Sequence, residues 1–322
     1  MKTWINFDSA PVFTIALTDE FAGRQVCDGM IIEGPQGWGE FAPPIGTDPE
    51  RAARWLTAAI EVGTVGWPDP MRGRVPVAVT VPPVSPERAA QLVAAAGCRT
   101  ASVHVGTTLA DDIARTEAVR DALGPDGSIR CDADGRWDVD DAVTAIAALD
   151  RAAGGLEFVE QPCATLDEVA EVRRRAAVPI AVDQSIRNAA EPLRLSLVGA
   201  VDIAVLTVGP LGGVRRALRV AESCGLPCVV AGELGSSIGI AGPVALAGVL
   251  PDTGYASELG TARFLAGDLV SDARSLIPVD GYLPVAPMPP GPDPERLRRY
   301  APADDATVAR WRALLAAAQA FI

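Results

Sequence analysis

At 322 residues the chain can bury a substantial core, enough for two modest domains or for one barrel with a smaller appendage. Asp and Glu number 41 against 28 Lys and Arg, a formal charge of −13, and the basic residues are scattered. That pattern excludes nucleic acid and anionic membrane as partners and leaves a small or metal-chelated ligand. Lysine occurs only at Lys2 and histidine only at His104, so no lysine further along is available for chemistry.

In chain order, the opening "MKTWINFDSAPVF" has no basic segment leading into an apolar stretch and a cleavage site. A cytoplasmic chain starting near Met1 is expected. Residues 1–74 form a unit of their own: "GMIIEGPQGWGEFAPP" (29–44) predicts a β-hairpin around a Gly-rich turn, and "DPERAARWLTAAIEV" (48–62) a helix. This unit reads as an α+β cap.

From 75 to 262 the chain repeats. Eight β-rich runs are each followed by an Ala/Leu/Arg-rich helical stretch: "VPVAVTV" (75–81), "TASVHV" (100–105), "SIRCDAD" (128–134), "LEFVEQP" (156–162), "PIAVDQS" (179–185), "VDIAVLTV" (201–208), "PCVVAGE" (227–233) and "TGYASEL" (253–259). Helical segments such as "PERAAQLVAAAG" end in Gly, the usual stop signal. Nearly continuous apolar strands are buried on both faces, and eight of them with helices between predict a closed parallel barrel. An open doubly wound sheet is the alternative, weakened because "GPLGG" (209–213) lacks the spacing of a dinucleotide fingerprint. The Ala/Gly-rich run "GIAGPVALAGVL" (239–250) is too short for a bilayer and predicts a packed helix. After about residue 263 a Pro-rich tail is expected to complete the cap, ending in a helix near 304–321. The six cysteines fall singly in or beside apolar runs, which reads as reduced buried thiols.

Polar residues at the C-terminal ends of barrel strands carry the functional expectation. Three consecutive runs end in acids, Asp132, Glu160 and Asp183. One such acid alone reads as a helix cap or a solvated carboxylate. Three converging on one mouth repel one another unless a hard cation neutralises them, so Mg²⁺, or Mn²⁺, is expected there. Asp134, Gln161 and Gln184 are weaker candidates. In "TASVHVG" (100–106) the alternation points Ala101, Val103 and Val105 outward and Ser102 and His104 into the barrel.

The segments "RCDADGRWDVDDA", "LEFVEQPCATLDEVAEVRRR", "VPIAVDQSIR" and "VDIAVLTVGPLGGVRRAL", together with "GWGEF" in the cap, resemble o-succinylbenzoate synthase of the enolase superfamily, in its actinobacterial branch. The resemblance implies an α+β cap on a modified (β/α)7β TIM barrel and one Mg²⁺ held by Asp132, Glu160 and Asp183. It further implies a lyase that dehydrates a cyclohexadiene carboxylate by removing a proton beside a metal-bound carboxylate.

The chain departs from that pattern where the resemblance would place three lysines. The second-strand KxK reads Ser102, Val103, His104, and the sixth-strand lysine reads Thr207. Where the seventh strand would carry a Ser-Ser pair stand Ala231 and Gly232, with an acid at Glu233. His104 and Glu233 are therefore the candidate proton carriers, and Thr207 and Ser102 candidate substrate contacts. An imidazole is chemically suited to be a base near neutrality but is shorter than lysine, and a displacement of about 1 Å can cost about a hundredfold in rate. The segments 19–29 and 41–49 are expected to close over the mouth, with Arg24 facing a second substrate carboxylate. Three functions remain open from the residues: a Mg²⁺-dependent lyase, isomerase or cyclase with altered chemistry, the synthase itself with His104 as base, and a non-catalytic binding homologue.

Overall fold

The structure, a computed structural model, describes residues 5–21, 23–286, 288–289 and 291–322; Lys2 lies outside them. The chain opens with an antiparallel sheet of β1 (Val12–Phe21), β2 (Arg24–Glu33) and β3 (Trp38–Phe41). β2 and β3 form the expected hairpin, Met30 facing Phe41 and Glu33 facing Trp38. β1 is an addition to the expected cap, and residues 24–29 belong to β2 rather than to a covering loop. Helix α1 (Pro49–Thr64) follows, its start fixed by Asp48, whose side chain accepts from the Arg51 amide, and by Pro at the first turn. Leu56, Ala52 and Ala59 on its buried face pack against Met30, Ile32 and Phe41 of the sheet.

The barrel strands are β5 (Ala78–Val81), β6 (Thr100–His104), β7 (Ser128–Asp132), β8 (Val159–Glu160), β9 (Ile180–Val182), β10 (Ile203–Thr207) and β11 (Cys228–Ala231), preceded by β4 (Arg74–Pro76). Around them run α2 (Pro86–Ala96), α3 (Leu109–Leu123), α4 (Val139–Ala153), α5 (Leu166–Arg175), α6 (Gln184–Arg187), α7 (Val208–Leu211), α8 (Val214–Cys224) and α9 (Ser237–Val249). The seven strands pair in parallel, each with its sequence neighbour.

The expected eighth strand is reduced to a short segment, yet it closes the ring. Ala78 N donates to Ser257 O and Ser257 N to Pro76 O on one side, at 2.8 and 2.9 Å. On the other side Glu258 N donates to Val230 O and Gly232 N to Glu258 O, both at 2.8 Å. Both edges of the seven-stranded sheet are thereby satisfied, which the doubly wound alternative would not require. The fold is a capped (β/α)7β barrel.

Outward side chains of the strands pack under the helices, and Phe158, Ala181, Ile203, Val205 and Val229 fill the barrel interior. After α9 the chain crosses back, pairs β12 (Tyr282–Pro284) with β4, and ends in α10 (Pro294–Arg299) and α11 (Asp305–Ala318). Trp311 and Leu315 of α11 join the core formed by α1 and the cap sheet. The tail thus packs on the N-terminal unit. No described helix is long and apolar enough to cross a membrane.

Candidate active site

Parallel strands in register present their last residues side by side. His104 pairs with Asp132, and Asp132 with Glu160, so three neighbouring strands place an imidazole and two carboxylates in one row. Asp183 follows the end of β9, Thr207 ends β10, and Glu233 lies two residues beyond β11. All six line one cavity of about 330 Å³ at the mouth of the barrel, where Phe21, Arg24 and Pro44 of the cap complete the wall.

Asp132 and Asp183 are held from several sides. The Asp134 amide donates to Asp132 Oδ1 at 2.9 Å, and His104 Nδ1 stands 3.5 Å from Asp132 Oδ2. Thr207 Oγ1 donates to Asp183 Oδ1 at 3.2 Å, while Arg187 Nε pairs with Asp183 Oδ2 at 2.8 Å. Glu160 differs: it is 4% exposed and its Oε2 has no hydrogen-bond partner. Burial raises all three acids above the ordinary carboxylate range. Asp183 reaches about 6 despite Arg187, and Glu160 rises further because Glu258, Asp132 and Asp183 repel its charge.

Among the described residues no group of three or more His, Cys, Asp or Glu side chains stands at metal-ligand spacing. The donor set nevertheless suits a hard divalent cation: carboxylate oxygens from three adjacent strands, one of them a buried orphan, all destabilised by one another's charge.

The remaining candidates separate. Glu233 accepts from Trp55 Nε1 of α1 at 2.7 Å, and burial pushes its carboxyl up to about 7 against the opposing effects of that hydrogen bond and of Arg187. Ser102 lies one inward position below His104, is 1% exposed and is not on the cavity wall, so the substrate contact expected of it has no surface to act through. Arg24 is on the wall, its Nη2 3.3 Å from Asp28 Oδ1 and its Nε buried without a partner. Of the weaker candidates, Gln161 spends its amide on Cys163 O and on Ser185 and braces the end of β8; its φ of 40° is a strained value for a non-glycine residue. Gln184 hydrogen-bonds Asp134, outside the row of acids.

Four residues were not singled out from the sequence. Glu258 of the closing segment lines the cavity as a fourth carboxylate, paired with the fully buried Arg130 at 3.1 Å. Its segment was read as a strand, and an acid near that strand's end was the available signal. Arg187 follows Asp183 by four residues at the end of α6, a spacing visible in the sequence, whereas Trp55 reaches the site through tertiary packing and leaves no local signature. Phe21 sets its ring edge-on to His104, centroids 5.9 Å apart, and stacks on Phe264. The assembled site can hold a divalent cation, bind an anion beside it, and move protons from two sides, His104 on the second strand and Glu233 after the seventh.

Comparison with known proteins agrees with this architecture. The family description "Enolase C-terminal domain-like" matches residues 85–292, and "Enolase N-terminal domain-like" matches residues 12–63. The chain is 51% identical to an o-succinylbenzoate synthase of Thermobifida fusca over 311 residues, 96% of this chain and 95% of that one. It is 45% identical to the o-succinylbenzoate synthase of Mycolicibacterium smegmatis over 294 residues, 90% and 89% of the two chains. Among solved structures, muconate lactonizing enzyme from Pseudomonas fluorescens superposes with a TM-score of 0.78 at 20% identity, covering 94% of this chain and all of that one. A dipeptide epimerase of Enterococcus faecalis complexed with Mg and the dipeptide L-Leu-L-Tyr superposes at 0.74 with 23% identity, covering 89% and 98%. These structural likenesses speak for the fold.

Proposed function

Because this chain belongs to the o-succinylbenzoate synthase family of the enolase superfamily, and is an enzyme of that superfamily, we propose that it is a Mg²⁺-dependent lyase, isomerase or cyclase for a small carboxylate, with His104 and Glu233 as its proton carriers. The observation that carries this reading is the content of the cavity. A lone histidine and a buried carboxyl pushed to about 7 flank three strand-end acids, and none of the described residues is a lysine.

Asp132, Glu160 and Asp183 would hold the Mg²⁺, which when bound supplies Lewis-acid stabilisation of the charge developing on the substrate carboxylate. The chain's own groups do the rest. Asp132 stands beside the Nδ1 edge of the imidazole at 3.5 Å, so the row of acids helps to orient His104. Phe21 limits its tilt from the cap side. Glu233, near half-ionised at neutral pH, is suited to give or take a proton at Glu233 Oε1 or Oε2 without a large energetic penalty. Arg24 would meet a second anionic group of the substrate, and Thr207 would act as a neutral contact beside Asp183. The cavity's polar and charged wall fits a small carboxylate, in line with a sequence whose basic residues are scattered.

A second reading is the synthase reaction itself with His104 as base; the 51% identity over 96% of the chain favours it. One experiment separates the two. Exchange of the α-proton in D2O is followed by NMR over a set of small carboxylates that includes the synthase's cyclohexadiene carboxylate, with saturating Mg²⁺. The wild type is run beside His104→Ala and Glu233→Gln. A loss of about 100-fold or more in either variant supports the assignment. Dehydration of the cyclohexadiene substrate by the wild type moves the conclusion to the second reading. Equal rates in the wild type and both variants overturn the roles given to His104 and Glu233.

A further inference from the structure

Behind Glu233, between α1 of the cap and α9 of the barrel, lies a second cavity of about 70 Å³. Glu233 belongs to the walls of both cavities. Its Oε2 accepts from the Trp55 indole at 2.7 Å, and no other side-chain hydrogen bond reaches its carboxyl among the described residues. Gly209 makes room for this contact. A Cβ built there would stand 2.5 Å from Trp55 Nε1 and 2.6 Å from Glu233 Oε2, closer than real side chains approach. A cap residue and a barrel glycine separated by most of a domain are thus matched to one hydrogen bond.

An indole N–H can only donate. The oxygen it meets must therefore present a lone pair, and because the carbonyl-type oxygen of an acid is the better acceptor, a proton on this carboxyl is favoured on the other oxygen. We propose that Trp55 is a positioning residue that, with Gly209 as its clearance, fixes Glu233 so that Oε1 alone carries the acid proton and faces the active cavity. The inference rests on the reading of Glu233 as a proton carrier and deepens it: the cap, besides covering the mouth, orients the acid.

Arg24 of β2, Asp183 at the end of β9 and Arg187 of α6 act on the charge of Glu233; His104, Asp132, Asp134, Arg136, Glu160 and Glu258 share its active-cavity wall, and Glu40 the wall of the second cavity. None of them replaces the indole as a neutral donor to Oε2. Removing the donor therefore raises the carboxyl's midpoint by about one pH unit, because a hydrogen bond to the charged form is lost. The surrounding charges stay in place.

The test needs no substrate and uses the full chain with saturating Mg²⁺. Indole N–H resonances of the six tryptophans are recorded by ¹⁵N NMR, and that of Trp55 is identified by Trp55→Phe or, where that variant does not fold, by Trp55→Tyr. The carboxyl carbon of Glu233 is followed in ¹³C-glutamate protein, with Glu233→Gln identifying it. The expected result is a Trp55 resonance that moves with pH in the wild type and is pH-invariant in Glu233→Gln, and a Glu233 midpoint about one unit higher in Trp55→Phe. Gly209→Ala should reproduce the raised midpoint with the indole retained. A Trp55 resonance that Glu233→Gln leaves unchanged would overturn the proposal even if Trp55→Phe does not fold, as would equal midpoints in the wild type and Trp55→Phe. Proton exchange surviving in Glu233→Gln in the separate assay with small carboxylates sinks the catalytic reading instead and leaves the contact standing.

Discussion

Arg130 shows what one buried charge does in this barrel. It is fully buried below the mouth, its Nη2 donating to Ala256 O at 2.6 Å and its Nε 3.1 Å from Glu258 Oε1. Its Nη1 lies 3.8 Å from Glu157 Oε2, and its guanidinium stands over the Phe158 ring at 4.9 Å. A guanidinium without those carboxylates could not be sustained in the interior, and those carboxylates could not be sustained without it. Arg130→Met keeps most of the volume but leaves Glu258 and Glu157 uncompensated. Its expected cost is about 3–5 kcal/mol in urea unfolding. Adding Glu258→Gln should recover part of that loss, since one stranded charge is then gone. A loss below about 1 kcal/mol for Arg130→Met would mean that the pair behaves like a surface ion pair and does not bear on the core.

At the scale of elements, the barrel depends on each helix starting at the right residue, because its first turn sets where the preceding strand's last side chain points. α5 has the fullest device: Thr165 Oγ1 accepts from the Glu168 amide, and Glu168 Oε2 accepts from the Thr165 amide. Thr165→Ala removes the acceptor of the Glu168 amide and leaves the backbone half in place, and the expected effect is about 1 kcal/mol, read as a lower urea midpoint with an unchanged slope. The same grammar made much of the fold legible beforehand. Strands β5 to β11 are apolar because both faces are covered, and the helices between them carry caps and Gly stops, so the repeat could be seen residue by residue. The acids Asp132, Glu160 and Asp183 followed from that register. Glu258 did not, although it stands near the end of an expected run, because that run is short of apolar residues beside the other seven and closes the barrel through single bridges rather than a full ladder. The Trp55–Glu233 contact was out of reach for a different reason: it spans the cap and the barrel, and only packing brings the two together.

Over the whole molecule, negative charge is concentrated where it is least tolerated, in a chain that already carries −13. Glu40 lies at the junction of cap and barrel, accepting from the Ser236 amide, and burial pushes its carboxyl to about 8. Glu233 stands at about 7 and Asp183 at about 6, with Asp132 and Glu160 also raised. For an acid whose folded pKa lies above its unfolded value, the folded state binds the proton more tightly. Its stabilising share is complete below the unfolded value of about 4, and is lost as pH rises through the folded one. Metal-free protein is therefore expected to lose stability progressively from pH 5 to 8, as Asp183, then Glu233, then Glu40 ionise. Mg²⁺ acts in the opposite direction, because it binds the deprotonated acids and only the folded chain brings them together. The Tm difference between Mg²⁺ and EDTA should thus widen from pH 5 to pH 8. Glu40→Gln should flatten the EDTA curve above pH 7 while leaving the Mg²⁺ difference intact, since Glu40 is not among the three acids. A Tm in EDTA that rises over this range would contradict the raised carboxyls, and a Mg²⁺ difference independent of pH would contradict a site built from them.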